Sequence, residues 1–558
     1  MRKDCEVYIS KIKFAEKEII INKNDIVVFV GPNNVGKSQS LKDIYTLCEN
    51  EKVTKVVKDI EIVKGNKGKI KEFIPKICKK IIEYGATYYS TFNFHYSTHC
   101  ISDLSLNKSK LEGLRNIFVA NLDTTQRLSI VNICETIEQN EVYKHPIHYV
   151  EFEKDKENWL SENFKKAFGK ELSINSSYGK YRPLCIGPRI NVEQLEDKDV
   201  GGLLREYGKI LNSYDKVHEQ GDGIKSFVGI LLYLMIDRYS TYLIDEPEAF
   251  LHPPQANIMG KIIAETLDDT QQAFISTHSE EFLKGLLEIA PERVKIIRIE
   301  RDGNTNKISP LNNDKVMQIW NDSFLKYSNI MSSIFHNNVV LCESDSDCKM
   351  YSIVNNNLKE DVFSETLFIH SGGKHRMPDV VNALKSLNIN IKTIVDIDIL
   401  KEESVFEKLV KAHGINWDNI KSKYDIISSN LNNNVDEVKI NDLQSLIDRI
   451  KEQGQNLLSD QDIDSIRKLI KKENKWEKIK RNGISNLPSG DATQKFNEMN
   501  EILKESGVYM VPVGEIENFI KSVGGHGIEW VNNVLIKYEN LDDEVYAVIK
   551  EFIMQMNI

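Results

Sequence analysis

Residues 31–38 read Gly-Pro-Asn-Asn-Val-Gly-Lys-Ser and stand between an apolar run, 25–30, and a helical pattern that begins at Gln39. A strand, a glycine loop and a helix start are what a polyphosphate cradle requires. Gly31 and Gly36 permit torsions that turn consecutive N–H groups onto phosphate oxygens. Asn33, Asn34 and Gln39 flank the same loop. Lys37 is expected to neutralise the β- and γ-phosphates and Ser38 to hold Mg²⁺, with the positive end of the helix adding to both. A surface glycine turn is the alternative; the flanking strand and helix argue against it, so the chain is expected to bind ATP. Farther on, 240–246 reads as a short apolar strand ending on two acids. Asp245 can hold Mg²⁺ through water, and Glu246 can polarise the water that attacks the γ-phosphate. A helix over 255–267 and a strand over 272–277 then deliver His278 to the same edge, as a sensor of the γ-phosphate.

A second set of acids follows. The strand pattern at 338–343 ends on Glu343, with Asp347 just ahead of a helix over 348–355; a strand at 366–370 runs into Ser371-Gly-Gly-Lys-His-Arg376; and a strand at 391–395 ends on Asp396-Ile-Asp398. Alternating strands and helices predict a parallel sheet whose ligands collect at the strands' carboxyl ends. Glu343, Asp347, Asp396 and Asp398 would then converge, and crowded carboxylates repel one another unless a cation is present. Taken singly, each acid reads better as a cap or loop residue. Together, with oxygen ligands only, they suit Mg²⁺ or Mn²⁺ and two-ion phosphodiester cleavage. Lys374, His375 and Arg376 are placed to touch a backbone phosphate.

Composition bounds these readings. At 558 residues the chain has room for two to four domains, and 41% hydrophobic with 28% charged residues is ordinary for a soluble protein. A net charge of −10 excludes a generally basic nucleic-acid coat, though not a local basic patch. The longest apolar stretch, 227–236, suits a buried helix rather than a membrane span, and the N-terminus lacks the apolar core of a signal peptide. Eight cysteines without a CxxC pair predict free thiols and a cytoplasmic location. His95, His99 and Cys100 form a conceivable metal group, set aside because no second ligand cluster accompanies them.

The motifs at 31–38, 243–253 (LIDEPEAFLHP) and 276–279 (STHS) resemble the ATP-binding-cassette branch of P-loop ATPases, in the cluster of SMC, RecF and OLD-type enzymes. That resemblance implies Walker B roles for Asp245 and Glu246, a D-loop from Glu248 to His252, and a switch role for His278. It implies a signature segment at 220–226 that meets ATP from a second subunit, with Gly223 fitting and Gly221 standing where serine is common. The 338–398 pattern looks like a TOPRIM domain, which implies a late acid, Glu517 first and Glu515 second, and a catalytic lysine near the C-terminus. Lys521 and Lys537 are candidates for the lysine, with His526 as a substitute. The fold class expected is therefore α/β: an ABC-type ATPase over 1–325, with a helical or dimerisation insertion at about 50–200, then a TOPRIM domain over 331–558 with a helical insertion at about 401–507. In the first insertion, 49–84 reads as helices; in the second, helices are expected at 435–453 and 463–474. A basic run there, Lys468, Lys471, Lys472, Lys475, Lys478, Lys480 and Arg481, reads equally as a solvated face or a nucleic-acid contact.

The two halves in this order resemble OLD-family ATPase–nucleases, including the Gabija type, which implies a homo-oligomer, an ATP-controlled endonuclease acting on DNA, and a bacterial antiviral role. The nearest rival resembles a fused PARIS system, in which the ATPase senses a viral protein and the TOPRIM half cuts RNA such as tRNA. A third reading is a non-catalytic ATP-driven scaffold.

Overall fold

The structure, a computed structural model, describes residues 2–83, 85–92, 94–97, 109–138, 141–190, 195, 199–303, 305–311, 313–322, 330–359, 366–432, 440–452, 457–470 and 475–558. The His99–Cys100 part of the conceivable metal group lies outside these residues, as does the side chain of His95. The chain divides into two compact units, Met1–Met317 and Gln318–Ile558.

The N-terminal unit is built on a six-stranded sheet. In chain order its relevant elements are β1 (Val7–Lys13), β2 (Glu18–Ile20), β3 (Ile26–Val30), α1 (Lys37–Glu49), β4 (Asp59–Lys64), α2 (Lys67–Ile77), β5 (Lys79–Glu83), β6 (Ala86–Thr91), β7 (Phe94–Ser97), β8 (Val119–Leu122), α3 (Thr124–Ser129), α4 (Asp222–Leu234), β9 (Thr241–Asp245), α5 (Pro253–Thr266), β10 (Gln272–Ser276), α6 (Glu280–Ile289), β11 (Val294–Asp302) and β12 (Thr305–Pro310). The central sheet runs β12-β11-β3-β10-β9-β8, with every pairing parallel except the β11–β12 edge. All five residues of β3 are fully buried, which is why it reads as an unbroken apolar run rather than an alternating one. The buried Gln272 amide ties this sheet to the N-terminal strands: its Oε1 accepts from Ile9 N–H at 2.8 Å and its Nε2 donates to the Ile9 carbonyl at 3.1 Å.

Three expectations need correction here. Helix α1 starts at Lys37, two residues before Gln39, with Gly36 in a left-handed conformation at its N-cap. The segment 49–84 is not all helix: β4 and β5 lie within it, β4 pairing with β1 and β5 opening a β5-β6-β7 sheet. The alternation Asp59-Ile-Glu-Ile-Val-Lys64 carries β-branched residues at a strand period, and lysine and glutamate content masked it. Nor is 50–200 one helical insertion, since β8 inside it forms an edge of the central sheet beside β9.

The C-terminal unit contains β13 (Asn338–Cys342), α7 (Asp345–Leu358), β14 (Thr366–His370), α8 (Met377–Ser386), β15 (Ile391–Val395), α9 (Glu403–Ala412), α10 (Asp418–Asn432), α11 (Ile440–Glu452), α12 (Asp460–Ile470), α13 (Lys475–Asn482), α14 (Asp491–Glu505), β16 (Val508–Met510), α15 (Ile528–Lys537) and α16 (Ala547–Met554). Its four strands are all parallel in the order β14-β13-β15-β16. Trp530, Tyr351, Phe519 and Phe552 belong to the core on the α7, α15 and α16 side. Helices α9 to α14 join β15 to β16, so the segment read as an insertion is the connection between two adjacent strands. Within it, α11 lies inside the expected 435–453 and α12 begins three residues before the expected 463, while residues 435–439, 453 and 471–474 lie outside the described residues.

Candidate functional sites

The P-loop follows β3 without a break. Gly31 sits at φ 136°, and a Cβ there would stand 2.1 Å from the Ile299 carbonyl oxygen; Gly36 sits at φ 101°, with Val56 Cγ2 at 2.8 Å from such a Cβ. Both positions demand glycine on conformation and on space. Asn34 adopts φ 60°, so the loop turns tightly between its exposed Asn33–Asn34 tip and the helix. Lys37 is buried and curls across the loop, its Nζ donating to the carbonyls of Gly31 at 2.8 Å and Pro32. Ser38 lies half-buried in the first turn of α1. Gln39 donates to Asp43 Oδ1 at 2.8 Å, and Asp43 Oδ2 accepts from the N–H groups of Val56 and Val57, so Gln39 belongs to a bracing network beside the loop.

Strand β10 lies between β3 and β9, so three parallel strands end side by side. Their C-terminal ends carry the P-loop, His278 and the Asp245–Glu246 pair. The Asp245 carboxylate accepts from Ser276 Oγ on the neighbouring strand. Glu246 takes φ 48°, an uncommon left-handed conformation for a residue with a side chain, and its Oε1 stands 3.8 Å from His278 Nε2. Burial, reinforced by the Lys37 ammonium and opposed by Asp245, pushes the His278 imidazole down to about 4. It is therefore neutral near pH 7. Glu248 Oε1 accepts the His278 backbone N–H at 2.7 Å, its Oε2 is buried without a partner, and burial pushes its carboxyl up. Gly223, at the start of α4, lies against Phe250: a Cβ there would be 2.6 Å from the Phe250 carbonyl oxygen. Sequence reading missed Arg127, which is fully buried and donates to the backbone carbonyls of Asp245 and, at 3.2 Å, Glu246. No local motif marks it.

The acids of the C-terminal unit collect at the carboxyl edge of its sheet. The β13–β15 register pairs Leu341 with Thr393. Glu343 and Asp396 are the first residues beyond the ends of these neighbouring strands, after Cys342 and Val395. Asp347 closes a capping box with Ser344 at the start of α7. Burial pushes the Asp396 carboxyl well up, and Asp347, Glu343 and Asp398 push it further against the pull of Lys480. Glu343 is raised by burial and then by Asp398 and Asp347; Asp347 is raised by burial and by Glu517, while Ser344 opposes. Mutual repulsion of the predicted set is thus present. Among the described residues, however, no three histidine, cysteine, aspartate or glutamate side chains are grouped closely enough to hold an ion. Positive charge comes from lysines: Asp398 pairs with Lys374 at 3.5 Å and Lys480 at 3.2 Å, and Lys480 also reaches Glu515 at 3.4 Å. The donor chemistry, oxygen alone, fits a hard divalent cation.

Glu517 pairs with His526 at 2.6 Å and accepts from Gly527 N–H at 2.8 Å. Neither candidate lysine has a contact with these acids: Lys521 bonds Asn482 and Lys537 bonds the Ser522 carbonyl. Besides Lys374, the lysine at the acids is Lys480, from α13. Its backbone carbonyl accepts from Asn518 at 2.8 Å, and Gly514, at φ 102°, comes so near that a Cβ would stand 2.0 Å from that same oxygen. The rest of the basic run is divided. Lys475 bonds the Asn430 carbonyl, Lys478 and Arg481 are exposed, and Lys471, Lys472 and the Lys468 side chain lie outside the described residues. His375 pairs with Glu402 at 3.5 Å, and Lys374 does so at 3.0 Å.

The profile of the AAA ATPase domain family matches residues 188–283, which hold α4, β9, α5 and β10. No curated protein matches the chain. Among solved structures, an SMC head bound to the C-terminal winged-helix domain of ScpA aligns at 14% identity and TM-score 0.35, over 56% of this chain and 99% of that one. An SMC head with an extended coiled coil, bound to a C-terminal ScpA domain from Pyrococcus furiosus, aligns at 14% identity and TM-score 0.32, over 56% and 98%. The SMC head domain from Thermotoga maritima aligns at 13% identity and TM-score 0.29, over 55% and 98%. No helix among the described residues is long and apolar enough to cross a membrane. The fold is α/β, residues 188–283 match the AAA ATPase domain family, and the N-terminal unit sets a P-loop, an acid pair and a histidine at the ends of three adjacent parallel strands.

Proposed function

We propose that the protein is an ATP-regulated, metal-dependent endonuclease of the OLD type, cleaving DNA in bacterial antiviral defence. The observation that carries the nuclease half is the burial of Asp396 beside Glu343, Asp347 and Asp398 at one strand edge, where every partner but Lys480 raises its carboxyl. Such a cluster is costly without a cation and becomes favourable with one. Glu343, Asp347, Asp396, Asp398 and Glu517 are the residues that would hold Mg²⁺ or Mn²⁺; the ions would supply an activated water and stabilise the leaving oxygen. Lys480 then fills the role of the expected catalytic lysine, and Lys374 and Arg376 that of backbone-phosphate contacts. In the N-terminal unit Gly31, Asn33, Asn34, Gly36, Lys37, Ser38 and Gln39 form the ATP cradle, Ser38 and Asp245 hold Mg²⁺, Glu246 polarises water and His278 senses the γ-phosphate. Gly223 would reach ATP across a homo-oligomer.

The scaffold reading gains support from the lysine pairing at Asp398 and the lack of a close three-acid group among the described residues. Supercoiled plasmid and total tRNA, incubated separately with Mn²⁺ or Mg²⁺ across an ATP titration, separate the readings. Plasmid nicking that Glu343→Ala abolishes supports the DNA nuclease. Cleavage of tRNA alone favours the RNA-cutting rival, and cleavage of neither favours the scaffold.

A further inference from the structure

Arg127 is a buried cation with no exposed surface; its two terminal nitrogens donate chiefly to main-chain oxygens, and its Nε has no hydrogen-bond partner among the described residues. Nη1 donates to the carbonyls of Leu122, at 3.2 Å, and Asp245; Nη2 donates to the Glu246 carbonyl at 3.2 Å and meets Thr124 Oγ1 at 3.4 Å. The left-handed Glu246 turns the chain out of β9; its carbonyl also accepts from Ala249 N–H at 2.9 Å, and Arg127 brings further donors to both carbonyls at that turn. A guanidinium offers several in one rigid plane, which an ammonium does not. The opposite side of Arg127 is equally constrained. A Cβ on Gly229, midway along α4, would stand 2.3 Å from the Arg127 carbonyl oxygen, so α3 and α4 touch backbone to backbone. Helix α4 begins at Asp222, where Gly223 lies against the Phe250 carbonyl. A shift of α4 therefore moves α3, and the Arg127 side chain carries that shift to the backbone of Glu246.

We propose that Arg127 is a positioning residue for ATP hydrolysis, clamping the Asp245 and Glu246 carbonyls so that the seating of α4 sets where the Glu246 carboxylate points. The inference rests on Glu246 being the acid that polarises water. A fully buried arginine on the turn that presents this acid, in backbone contact with α4, couples occupancy at the start of α4 to the competence of the acid.

The test compares wild type, Arg127→Met, Arg127→Lys, Gly229→Ala and Glu246→Gln by fluorescent-ATP affinity and steady-state ATP hydrolysis in the full chain. Arg127→Met should keep ATP affinity within roughly threefold of wild type and lose at least about tenfold in kcat, because the P-loop is untouched while the acid is misplaced. Arg127→Lys should recover part of kcat. Gly229→Ala, which keeps the guanidinium and forces α3 away, should lower kcat in the same way. If Arg127→Met does not fold, the lysine and Gly229 variants decide. Wild-type kcat in the folded variants overturns the proposal, as does a loss of ATP affinity parallel to the loss of kcat. Wild-type turnover in Glu246→Gln overturns the assignment of the acid and the inference with it.

Discussion

Asp396→Asn should stabilise the C-terminal unit when no divalent cation is present and remove its response to one. The Asp396 carboxyl is raised by burial and by three neighbouring acids, against one lysine. Neutralising a carboxyl whose ionised form is disfavoured by burial and like charges removes a penalty of about 1.4 kcal/mol for each unit by which its pKa is raised. Lys480 loses one of its acidic neighbours but keeps Asp398 and Glu515, which limits the net gain to about 1–2 kcal/mol. For a unit of roughly 240 residues that is a rise in Tm of about 2–8 °C. The sign with pH follows from linkage. A carboxylate whose folded pKa lies above its unfolded value makes the folded state hold more protons between the two, so wild-type stability rises as pH falls from the folded value toward the unfolded one. The advantage of Asp396→Asn is thus full above the folded value and shrinks on acidification through it. In wild type, Mn²⁺ at about a hundred times its Kd should add about 2.7 kcal/mol; in the variant that shift should vanish. Tryptophan fluorescence reads chiefly this unit, because four of the five tryptophans, Trp320, Trp417, Trp476 and Trp530, lie in it and Trp159 lies in the other. Destabilisation of more than about 1 kcal/mol, or an intact Mn²⁺ shift, refutes the reasoning.

Other perturbations have defined outcomes. Lys37→Ala removes the only charged side chain of the P-loop motif and should weaken fluorescent-ATP binding by about 10–100-fold, the loss of one or two charge-assisted hydrogen bonds. Gly31→Ala places a methyl 2.1 Å from the Ile299 oxygen at φ 136° and should lower the stability of the N-terminal unit by about 2 kcal/mol or more in denaturant unfolding. Because burial holds His278 down at about 4, kcat for ATP hydrolysis should show no imidazole inflection near 6.5; stability should fall as pH drops from about 6.5 toward 4, since the unfolded chain takes the proton first. Lys480→Met should tighten Mn²⁺ binding in calorimetry, by removing the ammonium that competes at Asp398, yet reduce cleavage.

The parallel strands and their terminal residues were legible because both kinds of signal are local. An apolar run followed by glycine fixes β3 and its loop, and the spans 366–370 and 391–395 match β14 and β15 residue for residue. Helix starts were less legible: α1 and α7 begin two or three residues earlier than their apolar patterns, where the Gly36 turn and the Ser344 capping box set them. The residues that sequence could not place act across distance. Arg127 precedes the acid pair by more than a hundred residues, and only the parallel β8–β9 pairing brings it there. Lys480 sat in a basic run whose period gave no reason to single it out; the near-contact of Gly514 with its carbonyl and the Asn518 bond select it from its neighbours. Composition misled at 49–84, where charge content hid a strand alternation.

The most direct test is a three-way comparison of plasmid cleavage with Mn²⁺ and ATP: wild type, Glu343→Ala and Asp396→Asn, each also assayed for ATP hydrolysis. Cleavage confined to wild type, with ATP hydrolysis retained in all three, is the predicted result. Equal cleavage by the acid variants, or none by wild type with any divalent cation, contradicts a nuclease centre at these carboxylates.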